Sequence, residues 1–230
     1  MSNLDFNKLS QVKLTQGQHD DPRSGGCAMD MVSWLEYGKA GDHPECVCPV
    51  IAAFIRSVND FLPDNERQRL VPYLLRFSGT VSKEHEQQRA EYLAWQSLTV
   101  FAPLALEVAG LKEEADKLKS LDQNDLEAAA WDAAWDAAWA AGAAARAAAW
   151  DAAWAAGAAA WAAEAAAWAA GAAGAAGAAE AAENKLHDAV FQAIDGLLEI
   201  GPSGAVDLLP VEAPARLEKF LELQKERVSA

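Results

Sequence analysis

Residues 131–171 read WDAAWDAAWAAGAAARAAAWDAAWAAGAAAWAAEAAAWAAG, and this stretch sets the fold class. From Ala128 to Ala182, alanine fills 37 of 55 positions, and no proline falls between 104 and 201. Alanine is the strongest helix former, so the tract reads as helix. The unit Trp-Ala-Ala-Gly recurs at Trp139–Gly142, Trp154–Gly157 and Trp168–Gly171, at offsets of 15 and 14 residues. Four helical turns take about 14.4 residues, so the units return to one face. At about 100° per residue, Trp131, Trp135, Trp139, Trp150, Trp154, Trp161 and Trp168 fall within an arc of about 140°. Gly142, Gly157 and Gly171 lie inside that arc, and the opposite side is nearly all alanine.

Such a helix has two uses for its faces. The alanine side admits another backbone at or below the usual spacing of about 8–10 Å. The tryptophan side alternates large knobs with missing side chains, and each indole carries about 150–250 Å² that water does not favour. The ten Trp and Gly positions are therefore the candidate interaction residues. Arg146 and Glu164 also fall within the arc, where a buried seam would pair them across the interface. A continuous helix from about 125 to 182 would be about 85 Å long, against a radius of gyration of about 17 Å for a globule of this size. The expected architecture is a compact helical bundle with one very long helix over 121–183, bending near the GAAGAAG run at 171–177. A hairpin of shorter helices is the alternative. A passive spacer grown by repeat expansion is the plainer account of the same composition.

Working outward, both flanks also read as helical. CAMDMVSWLEYG places Cys27, Met31, Trp34 and Leu35 at helical spacing, with Gly38 as the stop. Pro49 opens a helix over VIAAFIRSVNDFL, a position where proline costs no hydrogen bond. A third helix enters through Pro63, Asp64 and Asn65 and carries Leu70, Tyr73, Leu74 and Phe77, with Pro72 set to kink it or to mark its true start. After SGTVS, residues 83–100 form a fourth, with Tyr92, Trp95, Leu98 and Phe101 inward. Pro103 begins a fifth that carries Leu104, Leu106, Val108, Leu111 and Leu118. Residues 184–199 repeat the pattern through Leu186, Val190, Ile194, Leu197 and Leu198, and 213–228 through Leu217, Phe220, Leu221 and Val228. No segment alternates with period two for long enough to be a strand, so the class is all-α. The organisation expected is a flexible N-terminal arm (1–25), a helical head (26–120), the long helix (121–183) and C-terminal helices packing on the head or the long helix (184–230).

The net charge is −15, and residues 122–183 hold nine acids against one base, Arg146. No basic patch gathers, which excludes direct nucleic-acid binding. An acidic surface also repels anionic lipid. The N-terminal residues carry no apolar signal segment, and no run of about 20 strongly apolar residues exists, so no membrane span is expected. Three cysteines, an odd count, point to a reducing, cytoplasmic setting.

Two clusters carry chemistry. Cys27, His43, Cys46 and Cys48 form C-x15-H-x2-C-x-C, a donor set able to hold zinc tetrahedrally, with Asp42 placed to orient His43. Against metal stand the irregular spacing, the tight Cys-x-Cys and the restriction that Pro49 puts on Cys48. The alternatives are a structural loop with buried thiols and, last, a nucleophilic Cys–His pair. Asp30 sits on the apolar side of its helix, and Arg56, among Ile51, Phe54 and Ile55, is its expected ion-pair partner. Asn59 and Asp60 are set to cap or bind locally, and His19, His85 and His187 read as isolated and solvated.

The segment GGCAMDMVSWLEYGKAGDHPECVCPVIAAFIRSVNDFLP resembles one found in a group of uncharacterised bacterial and phage proteins, many actinobacterial. Those pair a G-x-C-x-M-[DE] start with an [SG]-D-H-P-x-C loop and a helix ending in N-D, and several carry Ala/Trp tracts. Here the matching positions are Gly26, Cys27, Met29, Asp30, Asp42, His43, Pro44, Cys46, Asn59 and Asp60. The resemblance covers about 40 residues plus the tract. It implies that the loop is a hallmark of the group, and it brings no activity with it. The leading expectation is a non-enzymatic interaction or assembly protein that self-associates or binds a protein partner through the Trp-Ala-Ala-Gly helix. The alternatives are an acidic phage-type inhibitor of a host nucleic-acid enzyme and a Cys/His metal sensor or enzyme.

Overall fold

A computed structural model describes residues 4–108, 110–122, 173–204 and 209–228. The chain order is α1 (Phe6–Leu9), α2 (Ala28–Tyr37), α3 (Pro49–Phe61), α4 (Asp64–Arg67), a 3-10 segment (Gln68–Tyr73) and α5 (Leu74–Phe77). There follow α6 (Lys83–Gln96), a π-helical turn (Ser97–Phe101), α7 (Ala102–Val108), α8 (Lys112–Lys119), α9 (Ala173–Glu199) and α10 (Ala213–Val228). No strand occurs among the described residues, so the all-α expectation holds. No helix there is long and apolar enough to cross a membrane.

The chain divides into two units, Met1–Glu86 with Leu198–Ala230, and Gln87–Leu197. This differs from the head, rod and tail division read from the sequence. The boundaries fall just inside α6 and near the end of α9.

The first unit is built around α2. Every residue from Ala28 to Leu35 is buried, because α3, α5 and α10 all pack on it. A helix covered on all sides is a core element, and its polar residues must be satisfied internally. Met29, Met31 and Leu35 meet an interior that includes Ile51, Phe54 and Ile55 of α3, Phe77 of α5 and Phe220 of α10. Trp34 packs edge-on to Phe220 at 6.0 Å, and its indole donates to the Arg216 carbonyl at 2.8 Å. The Arg216 guanidinium returns bonds to the Leu35 and Glu36 carbonyls, which caps the end of α2. Gly38, at φ 71°, stops α2 where expected. Pro49 is the first residue of α3.

Residues 4–25 are not a flexible arm. Leu4, Leu9, Val12 and Leu14 are buried, Lys8 pairs with Glu218, and Gln68 and Gln224 bond the backbone at Leu14 and Lys13. The polar composition conceals this, because the buried residues come at irregular intervals of five, three and two positions rather than on a helical stripe. Pro72 does not kink an α-helix; the chain runs as 3-10 helix from Gln68 through Tyr73. That tighter winding uses i→i−3 bonds and tolerates the missing N–H.

In the second unit the expected fourth and fifth helices are one run. The winding widens at Ser97–Phe101, where Ala102 N–H reaches the Ser97 carbonyl, five residues back. The wider turn relieves the clash that Pro103 would otherwise cause. The run then ends at Gly110, between α7 and α8. Leu93, Phe101 and Ala115 are buried, with Leu186, Val190, Ile194 and Leu197 of α9. Tyr92, Trp95 and Leu98, expected inward, are only half-buried, whereas Leu93 is fully covered.

The very long helix expected over 121–183 is not shown: residues 121 and 122 are not helical, residues 123–172 lie outside the described residues, and from Ala173 the chain belongs to the 27-residue α9. Within α9 the glycines at 174 and 177 do not interrupt the helix. All seven tract tryptophans and Gly142, Gly157 and Gly171, with Arg146 and Glu164, lie outside the described residues.

Candidate functional site

The residues that carry the resemblance are scattered over residues 26–60, and most of them meet at the first turn of α2. A helix start leaves its first N–H groups unpaired, and inside a core each of them needs a partner. Cys27 and Asp30 supply two reciprocally. The Cys27 sulfur accepts from Asp30 N–H at 3.3 Å, and Asp30 Oδ2 accepts from Cys27 N–H at 3.0 Å. This is a capping box with cysteine in place of serine or threonine and aspartate in place of glutamate. Asn59, from the end of α3, accepts from Ala28 N–H at 3.1 Å through its amide oxygen. The same amide donates to the Thr15 carbonyl at 2.9 Å. Asp60 accepts from Gly17 N–H at 2.7 Å. The motif thus closes the start of α2 and fastens the N-terminal segment over it.

Asp30 is buried at 2% exposure, and its partner is not Arg56. Besides the cap, Oδ2 accepts from His19 N–H at 3.1 Å, and His19 Nδ1 lies 3.4 Å away. The second oxygen, Oδ1, has no hydrogen-bond partner. Arg56 instead holds Asp42. Its Nη1 donates to the Asp42 carbonyl at 3.0 Å, and its Nε lies 3.9 Å from Oδ2. Burial pulls the Arg56 guanidinium below its ordinary value, and Asp42 offsets part of this. The expected Asp30–Arg56 pair is therefore replaced by two others. The N-terminal segment, which the sequence reading left outside the fold, brings His19 to Asp30.

His19 is also not solvated. Its Nε2 lies 3.3 Å from the Thr15 hydroxyl, which accepts from Gly26 N–H at 2.8 Å. Thr15, His19 and Asp30 therefore line up as hydroxyl, imidazole and carboxylate, the order of a nucleophilic relay. Space decides against that chemistry. A Cβ on Gly25 would come within 2.4 Å of Thr15 Oγ1 and 2.5 Å of His19 Nε2. The Gly25 backbone therefore covers the contact where a reacting atom would have to sit. The relay is a tie between the N-terminal segment and α2.

The four residues read as zinc ligands do not converge. Cys27 is buried at the start of α2, and Cys48 is buried at the start of α3, with its N–H on Thr80 Oγ1 at 3.0 Å. His43 is 74% exposed and bonds Asp42 Oδ1 at 2.6 Å. Cys46 is half-buried and hydrogen-bonded to Tyr37. Among the described residues no group of three or more His, Cys, Asp or Glu is placed to hold a metal ion. The zinc reading fails because Cys27 caps a core helix while His43 faces solvent. Asp42 does orient His43, as expected, but toward water. Nor are Cys27 and Cys46 set up as nucleophiles. Burial, and then the Asp30 carboxylate, push Cys27 far up. Burial also raises Cys46, although the Tyr37 hydrogen bond opposes it.

His187 is buried rather than solvated, with Glu183 at 3.8 Å. His85 bonds Ser82 at 2.8 Å. The sequence reading missed Arg67, which is buried and bonds the Asn59 carbonyl at 2.6 Å and the Leu62 carbonyl at 2.7 Å. It also reaches Asp64. It closes the end of α3 as Arg216 closes the end of α2. The signal available for it was an arginine six residues past a helix end, which composition alone does not separate from a surface charge.

No family model, curated protein or solved structure matches the chain.

Proposed function

We propose that the chain is a non-enzymatic interaction and assembly protein whose tryptophan–glycine tract is its contact surface, engaging a second copy or another protein. The observation that carries this reading is the return of Trp-Ala-Ala-Gly at 14–15 residues, a spacing that in a helix would put seven indoles on one face. That much apolar area needs a cover. Two features of the described residues support it. The motif residues Cys27, Asp30 and Asn59, among the strongest chemical candidates in the sequence, are spent on capping α2 and tying down residues 15–26. The helices on either side of the tract in sequence also belong to one unit, since Lys119 of α8 and Lys185 of α9 line the same cleft.

Sedimentation velocity at micromolar concentration, with tryptophan emission recorded on the same samples, tests the proposal. The expected result is a mass above the monomer, or a stable complex with a partner, lost when Trp139, Trp154 and Trp168 are replaced together by alanine. A clean monomer with blue-shifted, quencher-protected indoles overturns it.

A further inference from the structure

The second unit contains a cleft of about 440 Å³, within the size range of small-molecule sites. Its floor is apolar, from Val100, Leu104 and Ala189. Val100 belongs to the π-helical turn, a feature concentrated at functional positions in helices. The rim is rich in hydrogen-bond donors. Lys185, Ala189 and Gln192 share one face of α9, at i, i+4 and i+7. Among the described residues, no acid lies within ion-pair distance of Lys185, and neither Lys185 nor Gln192 makes a hydrogen bond. Lys119 enters from α8 with one contact to Glu107 and a 4.0 Å approach to Asp116, which leaves ammonium donors to spare. Lys185 is near enough to act on Glu107 as well. The one carboxylate on the lining, Asp188, is already engaged. In a chain with 34 acids and 19 lysines and arginines, an unpaired lysine at the mouth of an apolar cleft is out of keeping with its surroundings.

We propose that this cleft binds a small amphipathic carboxylate, with the chain on Val100, Leu104 and Ala189 and the carboxylate between the Lys119 and Lys185 ammonium groups. Charge complementarity selects the head group, and the apolar floor selects a hydrocarbon body over acetate or inorganic phosphate. The site is independent of the tryptophan tract as a contact surface, and either proposal can fail without the other.

Calorimetric titration of the full chain at low ionic strength, with octanoate, octanol and acetate, tests it. Octanoate is expected to bind at one site, with octanol and acetate each at least about tenfold weaker. Lys185→Met keeps the apolar stem, removes no existing bond, and is expected to raise the octanoate Kd about tenfold, the scale of one charge-assisted hydrogen bond. Lys39→Met, in the other unit, is expected to leave it unchanged. Absence of octanoate binding overturns the proposal. So does equal binding of octanol, or a Lys185→Met chain that binds octanoate as tightly as the parent.

Discussion

Asp30 shows what a single buried carboxylate can be made to do. Its Oδ2 takes the Cys27 and His19 N–H groups and faces the His19 ring, so its charge is held by donors from two segments. Asp30→Asn puts an amide among those donors and is expected to cost about 2–4 kcal/mol in urea unfolding. Double-mutant cycles distinguish the partner. Asp30 with His19 should couple by about 1 kcal/mol, and Asp30 with Arg56 by nothing measurable; the reverse result would restore the pairing read from the sequence. The thiols give a pH dependence with a defined sign. Cys27 and Cys46 are raised in the fold, so between the unfolded thiol value and the folded one the native state holds more protons than the unfolded state. Their contribution to stability is whole below about pH 8.5 and is lost as pH rises above it. Unfolding midpoints should fall from about pH 8.5 upward, and Cys27→Ser should flatten that fall. Native Cys27 should resist alkylation at pH 8 and react once the chain is unfolded. That Asp30 is special was legible, because an acid on an apolar stripe demands a partner. The identity of the partner was not, because His19 reaches it through a segment with no periodic pattern.

At the scale of elements, helix ends explain more than helix faces. The spacing of Met31, Trp34 and Leu35, the stop at Gly38 and the start at Pro49 were all readable, since they rest on local geometry. The arginines that close α2 and α3 were not, since Arg216 acts from about 180 residues away along the chain. Arg67 is buried while serving the Asn59 and Leu62 carbonyls and Asp64, so Arg67→Met should cost about 3 kcal/mol by leaving those acceptors dry. The segment after α9 is held as tightly. Gly204 N–H bonds the Arg76 carbonyl at 3.0 Å, and a Cβ there would meet the Ser78 and Leu75 carbonyl oxygens at 2.1 and 2.3 Å. Backbone oxygens cannot swing aside as a side chain can. Gly204→Ala should therefore lower stability by about 2 kcal/mol and increase amide exchange in α5, the helix it would push away.

For the whole molecule, the division into Met1–Glu86 with Leu198–Ala230 and Gln87–Leu197 places the tract inside the second unit's span of sequence. Among the described residues, the buried side chains of the first unit come from residues 4–80, Leu198 and residues 209–221, none of them in the tract. Replacing residues 123–172 by a short flexible linker should leave the first unit's cooperative unfolding transition within about 1 kcal/mol of the parent, while abolishing any assembly seen by sedimentation. A transition lost altogether would show that the tract supports the fold rather than a partner. The amino-acid sequence by itself determined the all-helical class, the limits of α2 and α3 and the presence of a buried acid, because propensity, caps and periodicity act within a few residues. Only the tertiary structure decided that the N-terminal segment is packed, that Asp30 answers to His19, that Arg56 serves Asp42, and that the cysteines and His43 lie apart. Those outcomes depend on which distant segments enclose α2. A core helix takes its polar partners from whatever surrounds it, and spacing along the chain carries no record of that.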